Sequence, residues 1–295
     1  MKPRPNKIFS QLEARLASRD LDLAIGVLYQ RGILTTEHRR GRDGIQLKAQ
    51  LPKGFRFDKL ATEIRAWEKD FVGRKVFRAL KERKIRDQRW IEKYQRMLKP
   101  FPLLQKHPSR LMVDPRGILP SRKASDTLYI QSGLAFGTGT HTTTQLAAEL
   151  LSEALEGLKC PSVLDMGCGT GILAMVSRRL GAAKVLAVDN DPEALVVARE
   201  NLDINQIRGV QLQENLKGVK TKFPVIVSNI VLNVLLELRP LLVARLAKGG
   251  SLILTGLLYR DRDEILRAYR GLRCRKAVNR KGWTAFLFEN RRAAP

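Results

Sequence analysis

The stretch Val163-Leu-Asp-Met-Gly-Cys-Gly-Thr-Gly171 constrains the fold of this 295-residue chain more than any other. An apolar run meets three glycines at alternate positions, and a helical pattern follows at 172–180. Such a junction is a strand turning sharply into a helix. Glycine is needed there because the backbone turns tightly and approaches a ligand closely. Amides exposed at the helix start favour oxygen-rich ligand groups. About 20 residues on, Val185-Leu-Ala-Val-Asp189 reads as a second strand ending in an acid. That spacing puts Asp189 at the neighbouring strand tip, where it can accept hydrogen bonds from both ribose hydroxyls of a nucleoside. Asp191-Pro192 reads instead as the N-cap of the next helix. A third apolar strand, Val225-Ile-Val-Ser-Asn229, ends in a polar pair at the edge where such sheets bind ligands. Asn229 can bind a substrate amine or orient a cofactor, and as an isolated residue it also fits a turn.

These motifs sit in a region of α/β texture from residue 126 onward. Strands are expected at 162–166, 184–188, 210–212, 224–228 and 251–255, with helices at 143–157, 172–180, 192–205, 232–247 and 262–269. A hairpin turned at Lys281-Gly282 joins 275–279 to 284–289. Repeated strand–helix units predict an α/β, Rossmann-like, doubly wound and mostly parallel sheet, with the hairpin as an antiparallel C-terminal edge.

The first 125 residues read differently. Ile8, Leu12 and Leu16, then Leu21 to Leu28, predict helix across 8–31, broken or capped at Asp20. Ile45–Leu51 alternates as a half-buried strand, and Phe57 to Phe77 reads as helix with Leu60, Ile64, Trp67 and Phe71 on one face. A small α+β domain is expected over 1–77, with no catalytic motif in it. Over 78–125 a charged helix, Lys81 to Arg89, leads through Trp90 and Tyr94 into a proline-rich connection. The α/β domain then occupies 126–295.

Charge is lopsided. The chain carries a net +25. Residues 1–125 hold 31 Lys/Arg against 13 Asp/Glu, a net of +18, and 126–295 hold 23 against 16, a net of +7. Such a first half suits RNA or another polyanion, and general solubility is the plainer reading. Three cysteines (Cys160, Cys168, Cys274) make no disulfide framework, and neither they nor the three histidines have metal-ligand spacing. No metal is expected. The opening Met-Lys-Pro-Arg-Pro-Asn-Lys precedes no apolar signal run, and the longest apolar runs fall far short of the roughly 20 residues of a membrane span. A cytoplasmic protein is expected.

The glycine pattern favours S-adenosylmethionine over a dinucleotide. A dinucleotide site shows Gly-x-Gly-x-x-Gly for a pyrophosphate. Here Asp165 precedes Gly-x-Gly-x-Gly, and an acid there can hold the cofactor's ammonium group; satisfaction by loop amides is the alternative. Gly133 to Thr144, rich in Gly and Thr, precedes the helix at 143–157 and suits a segment folded over a cofactor. His141 within it has no visible partner, so a structural or capping role competes with that of a base.

Gly133-Leu-Ala-Phe-Gly-Thr-Gly-Thr-His-Thr-Thr-Thr144, Leu164 to Ala174, Gly181-Ala-Ala-Lys184, Ser228-Asn-Ile230 and Trp90-Ile-Glu-Lys-Tyr94 with Lys99-Pro-Phe101 together resemble the ribosomal protein L-eleven methyltransferase family. The resemblance covers 88–258 well and the first domain faintly. It implies a class I methyltransferase fold, a small N-terminal substrate-recognition domain, and methyl transfer to protein amines (a lysine or an N-terminal amine), with a ribosomal protein as substrate. It implies cofactor contacts at Thr144, Gly167, Asp189 and Asn229, with Phe136, Thr138 and Thr140 beside them; Asp165 and Gly169 join that set from the loop itself. Catalytic candidates are Asn229, Thr138 and His141. The chain departs from the family at Thr142, where proline is usual, at Gly282-Trp-Thr284, where Glu-Trp-Cys is usual, and in its strongly basic charge. Two rival readings stand beside it: an RNA or DNA methyltransferase, and a non-catalytic cofactor fold that binds RNA or ribosomes. Against the first, Asn229 is followed by Ile230-Val231-Leu232, not by the Pro-Pro-aromatic of amino-group methylation on bases.

Overall fold

The computed structural model describes residues 9–31, 33, 36–41, 43–51, 55–85, 99–104, 111–116, 124–131 and 139–290. The chain forms two compact units, Met1–Lys93 and Tyr94–Pro295.

In the first unit the elements run β1 (Phe9–Leu16), α1 (Leu21–Gln30), β2 (Thr36–Gly41), β3 (Gly44–Gln50), α2 (Phe57–Trp67) and β4 (Ala79–Ile85). The strands form one antiparallel sheet in the order β2-β3-β1-β4, a split β-α-β arrangement. One sheet face buries Leu12, Ala14, Leu16, Ile45, Leu47 and Ala49 against Val27, Leu28, Leu60, Ile64 and Trp67 of the helices. Three expectations are corrected here. Residues 9–16 are strand, not helix. Leu12 and Leu16 are four apart, and four is also twice the strand period, so that spacing suits either element. The expected charged helix at 81–89 begins instead as the edge strand β4, whose residues 79–85 pair with β1; positions 86–98, with Trp90 and Tyr94, lie outside the described residues. Helix α2 passes into a wider π-turn at Glu68–Val72 and stops at Gly73, whose φ is 70°. The wider turn rotates the apolar stripe out of phase, and Phe71 is 74% exposed rather than in the core.

The second unit opens with a three-stranded sheet of β5 (Phe101–Pro102), β6 (Met112–Asp114) and β7 (Thr127–Tyr129). Its main body comprises α3 (Thr142–Leu155), β8 (Ser162–Met166), α4 (Ile172–Arg179), β9 (Lys184–Val188), α5 (Pro192–Ile204), β10 (Val210–Gln213), β11 (Phe223–Asn229), α6 (Leu232–Arg245), β12 (Leu246–Leu258), α7 (Arg262–Ala268), β13 (Arg273–Arg280) and β14 (Trp283–Glu289). The sheet order is β10-β9-β8-β11-β12-β14-β13, parallel through β12 and antiparallel at β14 and β13. This is the expected α/β, doubly wound architecture with an antiparallel C-terminal edge. Central strands such as β11 are buried along almost their whole length, as strands covered on both faces must be. No helix among the described residues is long and apolar enough to cross a membrane.

Candidate functional site

Strand order reverses beside β8. The chain goes outward to β9 and β10, then returns to place β11 on the other side. Helices leave in opposite directions there and open a crevice at the carboxyl ends of β8 and β11. Asp165 stands near the end of β8, Gly167 and Gly169 follow that strand into this crevice, Asp189 follows β9, and Asn229 ends β11.

The glycine loop is held from within. The Gly167 and Cys168 amides donate to the Val188 carbonyl (2.7 and 3.0 Å), and the Gly169 amide donates to Asp189 Oδ2 (2.8 Å). These amides are therefore spent inside the fold, and the glycines admit a ligand by lacking side chains. At Gly167 the requirement is double. Its φ is 77°, and a Cβ there would stand 2.5 Å from Ile230 Cδ1. Asp189 Oδ1 accepts from the Asp191 amide (3.0 Å), and Asp191 caps α5 by accepting from the Glu193 amide (2.9 Å), as expected.

Asp165 is fully buried, and neither carboxyl oxygen has a hydrogen-bond partner in good geometry among the described residues. Burial pushes its pKa up to about 7; the nearby Ala174 amide opposes the shift and the Asp189 charge adds to it. The same burial drives the Cys168 thiol far above its usual range, so this thiol is no nucleophile.

The first turn of α3 lies over the tips of β11 and β12. Asn229 Nδ2 donates to Thr144 Oγ1 (3.4 Å), and Thr255 Oγ1 donates to the Thr143 carbonyl (3.4 Å). His141 caps α3: its Nδ1 accepts from the Thr143 amide (3.3 Å) and lies 2.8 Å from Thr143 Oγ1. Its ring meets Trp283 edge-on at 4.6 Å. Burial lowers its pKa to about 4, so it is neutral at physiological pH. Of the two roles expected for His141, the geometry supports capping rather than general-base chemistry. Thr140 is exposed. Phe136 and Thr138 lie outside the described residues. Among the described residues no three His, Cys, Asp or Glu side chains gather as a metal site.

Asn201 in α5 and Asn205 at its C-cap escaped sequence reading. Asn201 Oδ1 accepts from the Gln131 amide (2.7 Å), while its Nδ2 donates to the carbonyls of Gln131 and Thr170 (3.0 Å each). Asn205 holds Tyr129 in the same two-way fashion, at 2.8 Å in each direction. One helical turn apart, the two amides imitate a strand and clasp 129–131 to the helix. Asn201 also reaches the glycine loop through Thr170. Two asparagines at i and i+4 in a helix otherwise rich in good helix formers were the available signal. Asn201→Ala removes three hydrogen bonds to the backbone of Gln131 and Thr170, and is expected to destabilise the second unit by about 2 kcal/mol. Urea unfolding measures this; a loss within experimental scatter would show that the clasp is not needed.

The comparisons with known proteins agree with this geometry. The family model for ribosomal protein L11 methyltransferase (PrmA) matches residues 22–291. A ribosomal protein L11 methyltransferase of Pelobacter propionicus is 43% identical over 196 residues, 63% of this chain and 62% of that protein. One from Thermosipho melanesiensis is 34% identical over 78% of this chain and 83% of its own length. The crystal structure of a ribosomal protein L11 methylase from Lactobacillus delbrueckii subsp. bulgaricus superposes with a TM-score of 0.57 at 31% identity, covering 66% of this chain and all of that one. The match spans 62% of the length of the Pelobacter relative and of its Bordetella bronchiseptica counterpart. With a family model matched across nearly its whole length, the chain belongs to the ribosomal protein L11 methyltransferase family.

Proposed function

We propose that this chain is an S-adenosylmethionine-dependent methyltransferase acting on amino groups of a ribosomal protein, L11 being the substrate that its relatives' names give. The observation that carries the reading is Asp165, a buried carboxyl group without a hydrogen-bond partner in good geometry, beside a side-chain-free loop and one strand from a second acid. A buried carboxylate calls for a cation. The ammonium group of the cofactor's methionine portion is one, and the ribose hydroxyls suit Asp189, whose oxygens keep acceptor capacity beyond the two amides they hold. The residues present thus fit the group: Asp165 and Asp189 would hold its two ends, with Gly167 and Gly169 leaving room between. When bound, S-adenosylmethionine supplies a methyl group already activated by its sulfonium charge.

What the chain itself must do is position a neutral amine in line with that methyl. Asn229, fixed through Thr144 and 9% exposed, presents a carboxamide at the tip of β11 that can accept from the amine. A lysine amine entering from water must lose a proton first, and desolvation in a narrow site lowers its pKa toward that end. By their match to the family's motif, Phe136, Thr138 and Thr140 are assigned to cofactor contact, and the first unit to substrate recognition. A cytoplasmic location goes with this reading. The basic first half supports contact with RNA or another polyanion in the course of it.

The test is transfer of labelled methyl groups to purified L11 and to ribosomal lysate, divided between protease and nuclease treatment. Label lost to protease and resistant to nuclease is expected. Label that follows RNA would replace the reading with nucleic-acid methylation. No transfer and no cofactor binding by calorimetry would leave a fold without the activity.

A further inference from the structure

The first unit has a sheet face that its helices do not cover. Residues of β1 alternate: Leu12, Ala14 and Leu16 enter the core, while Gln11, Glu13 and Arg15 face the other way. The register carries this face across the sheet. Glu13 pairs with Lys48 of β3 and Lys81 of β4, Arg83 pairs with Gln11, and Gln46 lies between Arg15 and Arg39. Each of the four strands thus contributes to one surface, and its cations are Arg15, Arg39, Lys48, Lys81 and Arg83. Arg15 and Arg39 are exposed, and Lys81 and Arg83 are 70% and 66% exposed.

At its centre Glu13 is only 5% exposed and lies 3.9 Å from Lys48, 3.2 Å from Lys81 and 3.4 Å from Arg83. One carboxylate is shared by three cations. It orders them without neutralising them. Glu13 is the one carboxylate among the described side chains of this face, against five cations.

We infer that this sheet face binds the phosphate backbone of RNA, with Arg15, Arg39, Lys81 and Arg83 as contacts and Glu13 as the residue that positions the central cations. The inference builds on the polyanion reading of the basic first half and not on methyl transfer. RNA is favoured by the charge of the face, on which five ordered cations stand with one described carboxylate. Phosphate binding needs only positive charge in order. Contacts to phosphate alone carry no sequence information.

The experiment is fluorescence anisotropy of the full chain with a labelled single-stranded oligouridine of about 20 nucleotides, longer than a single site of this kind needs. With about three effective phosphate contacts, affinity should fall about 20-fold between about 50 and about 200 mM salt. The double variant Lys81→Gln/Arg83→Gln removes two contacts, so it should bind more weakly at low salt and lose only about 3-fold over the same interval. Arg15→Gln/Arg39→Gln, on the other side of Glu13, should behave likewise. Arg270→Gln/Arg273→Gln, exposed in the second unit, removes equal charge and should bind as the parent does. A mixed-sequence oligomer should match oligouridine. Parent-like binding by both face variants would overturn the assignment of the face. Equal weakening by the second-unit variant would reduce it to net charge. A polyglutamate that competes as well as RNA would turn the face toward an acidic protein. No binding by the parent at low salt would sink the polyanion reading itself, leaving methyl transfer untouched.

Discussion

Asp165→Asn will raise the stability of the ligand-free protein and weaken S-adenosylmethionine binding by about 100-fold. Both effects have one cause. Because burial lifts the folded-state pKa of Asp165 to about 7 from an ordinary 3.8, the folded form prefers this carboxyl protonated. The stability it contributes is fully present below pH 3.8 and is lost as pH rises through about 7. Over that window the ligand-free protein weakens by about 1.4 kcal/mol per pH unit, or about 4 kcal/mol in all. An amide cannot ionise, so the variant escapes this loss. It returns about 1–3 kcal/mol for its own buried polar atoms. A net gain of about 2 kcal/mol near pH 8 corresponds to a melting temperature higher by about 4–8 °C for a unit of this size. Binding moves the other way. The amide offers no charge to an ammonium group, and losing one partner of a buried charge pair costs about 2–5 kcal/mol, which brackets the 100-fold loss. Thermal melts from pH 5 to 8 and calorimetric titration check the two halves separately. A variant that melts below the parent at pH 8 would contradict the electrostatics of the site. One that melts higher yet binds the cofactor as well as the parent would remove Asp165 from the cofactor's contacts.

The second large effect is steric. Gly256, in β12, has a φ of 88°, and a Cβ there would meet Ile230 at three backbone atoms: O at 2.5 Å, C at 2.8 Å and N at 3.0 Å. Ile230 is also tied to β12 by its amide, which donates to the Thr255 carbonyl (3.1 Å). Neither backbone can yield without breaking the tip of β11. Gly256→Ala is therefore expected to destabilise the second unit by about 3 kcal/mol or more, through strain at positive φ and overpacking together. Since Asn229 precedes Ile230 and the Ile230 side chain fills the space beside Gly167, what remains folded should bind cofactor poorly. Denaturant unfolding and calorimetry read both; a cost below about 1 kcal/mol would mean that the chain relaxes here more easily than its packing implies.

Asp165, Gly167, Asp189 and Asn229 were legible in the sequence because each sits at a fixed offset from an apolar strand, and strands of a doubly wound sheet deliver their C-terminal ends to one crevice. The Asn201 and Asn205 clasp was not legible, since it joins residues 70 and 76 positions apart and local pattern carries no trace of that. The close approach at Gly256 was hidden for the same reason. Expecting only 251–255 of the 13-residue β12 followed from Gly249 and Gly250, which break the apolar run. In the structure the register with β11 shifts between Phe223 and Val225 and takes up that interruption. In the first unit a helix was expected where β1 lies because a four-residue spacing suits both periods, and β4 was expected as helix because an edge strand facing water can carry charges at nearly every position.

The placement of β14 bears on how the protein is made. It follows every other described strand in the chain, yet it lies between β12 and β13, with Trp283, Phe286, Leu287 and Phe288 no more than 2% exposed. The hairpin it forms with β13 steadies α3, through Lys276 on Glu153, Arg280 on Glu149 and Trp283 against His141. During synthesis the crevice residues thus leave the ribosome long before the strand that fixes the helix above them. Until residue 289 has emerged, the apolar edge of β12 stays open and the first turn of α3 lacks its support. A stalled or truncated nascent chain would hold the glycine loop and both acids and still have no formed site, so competence to bind arrives with the last strand rather than with the motif.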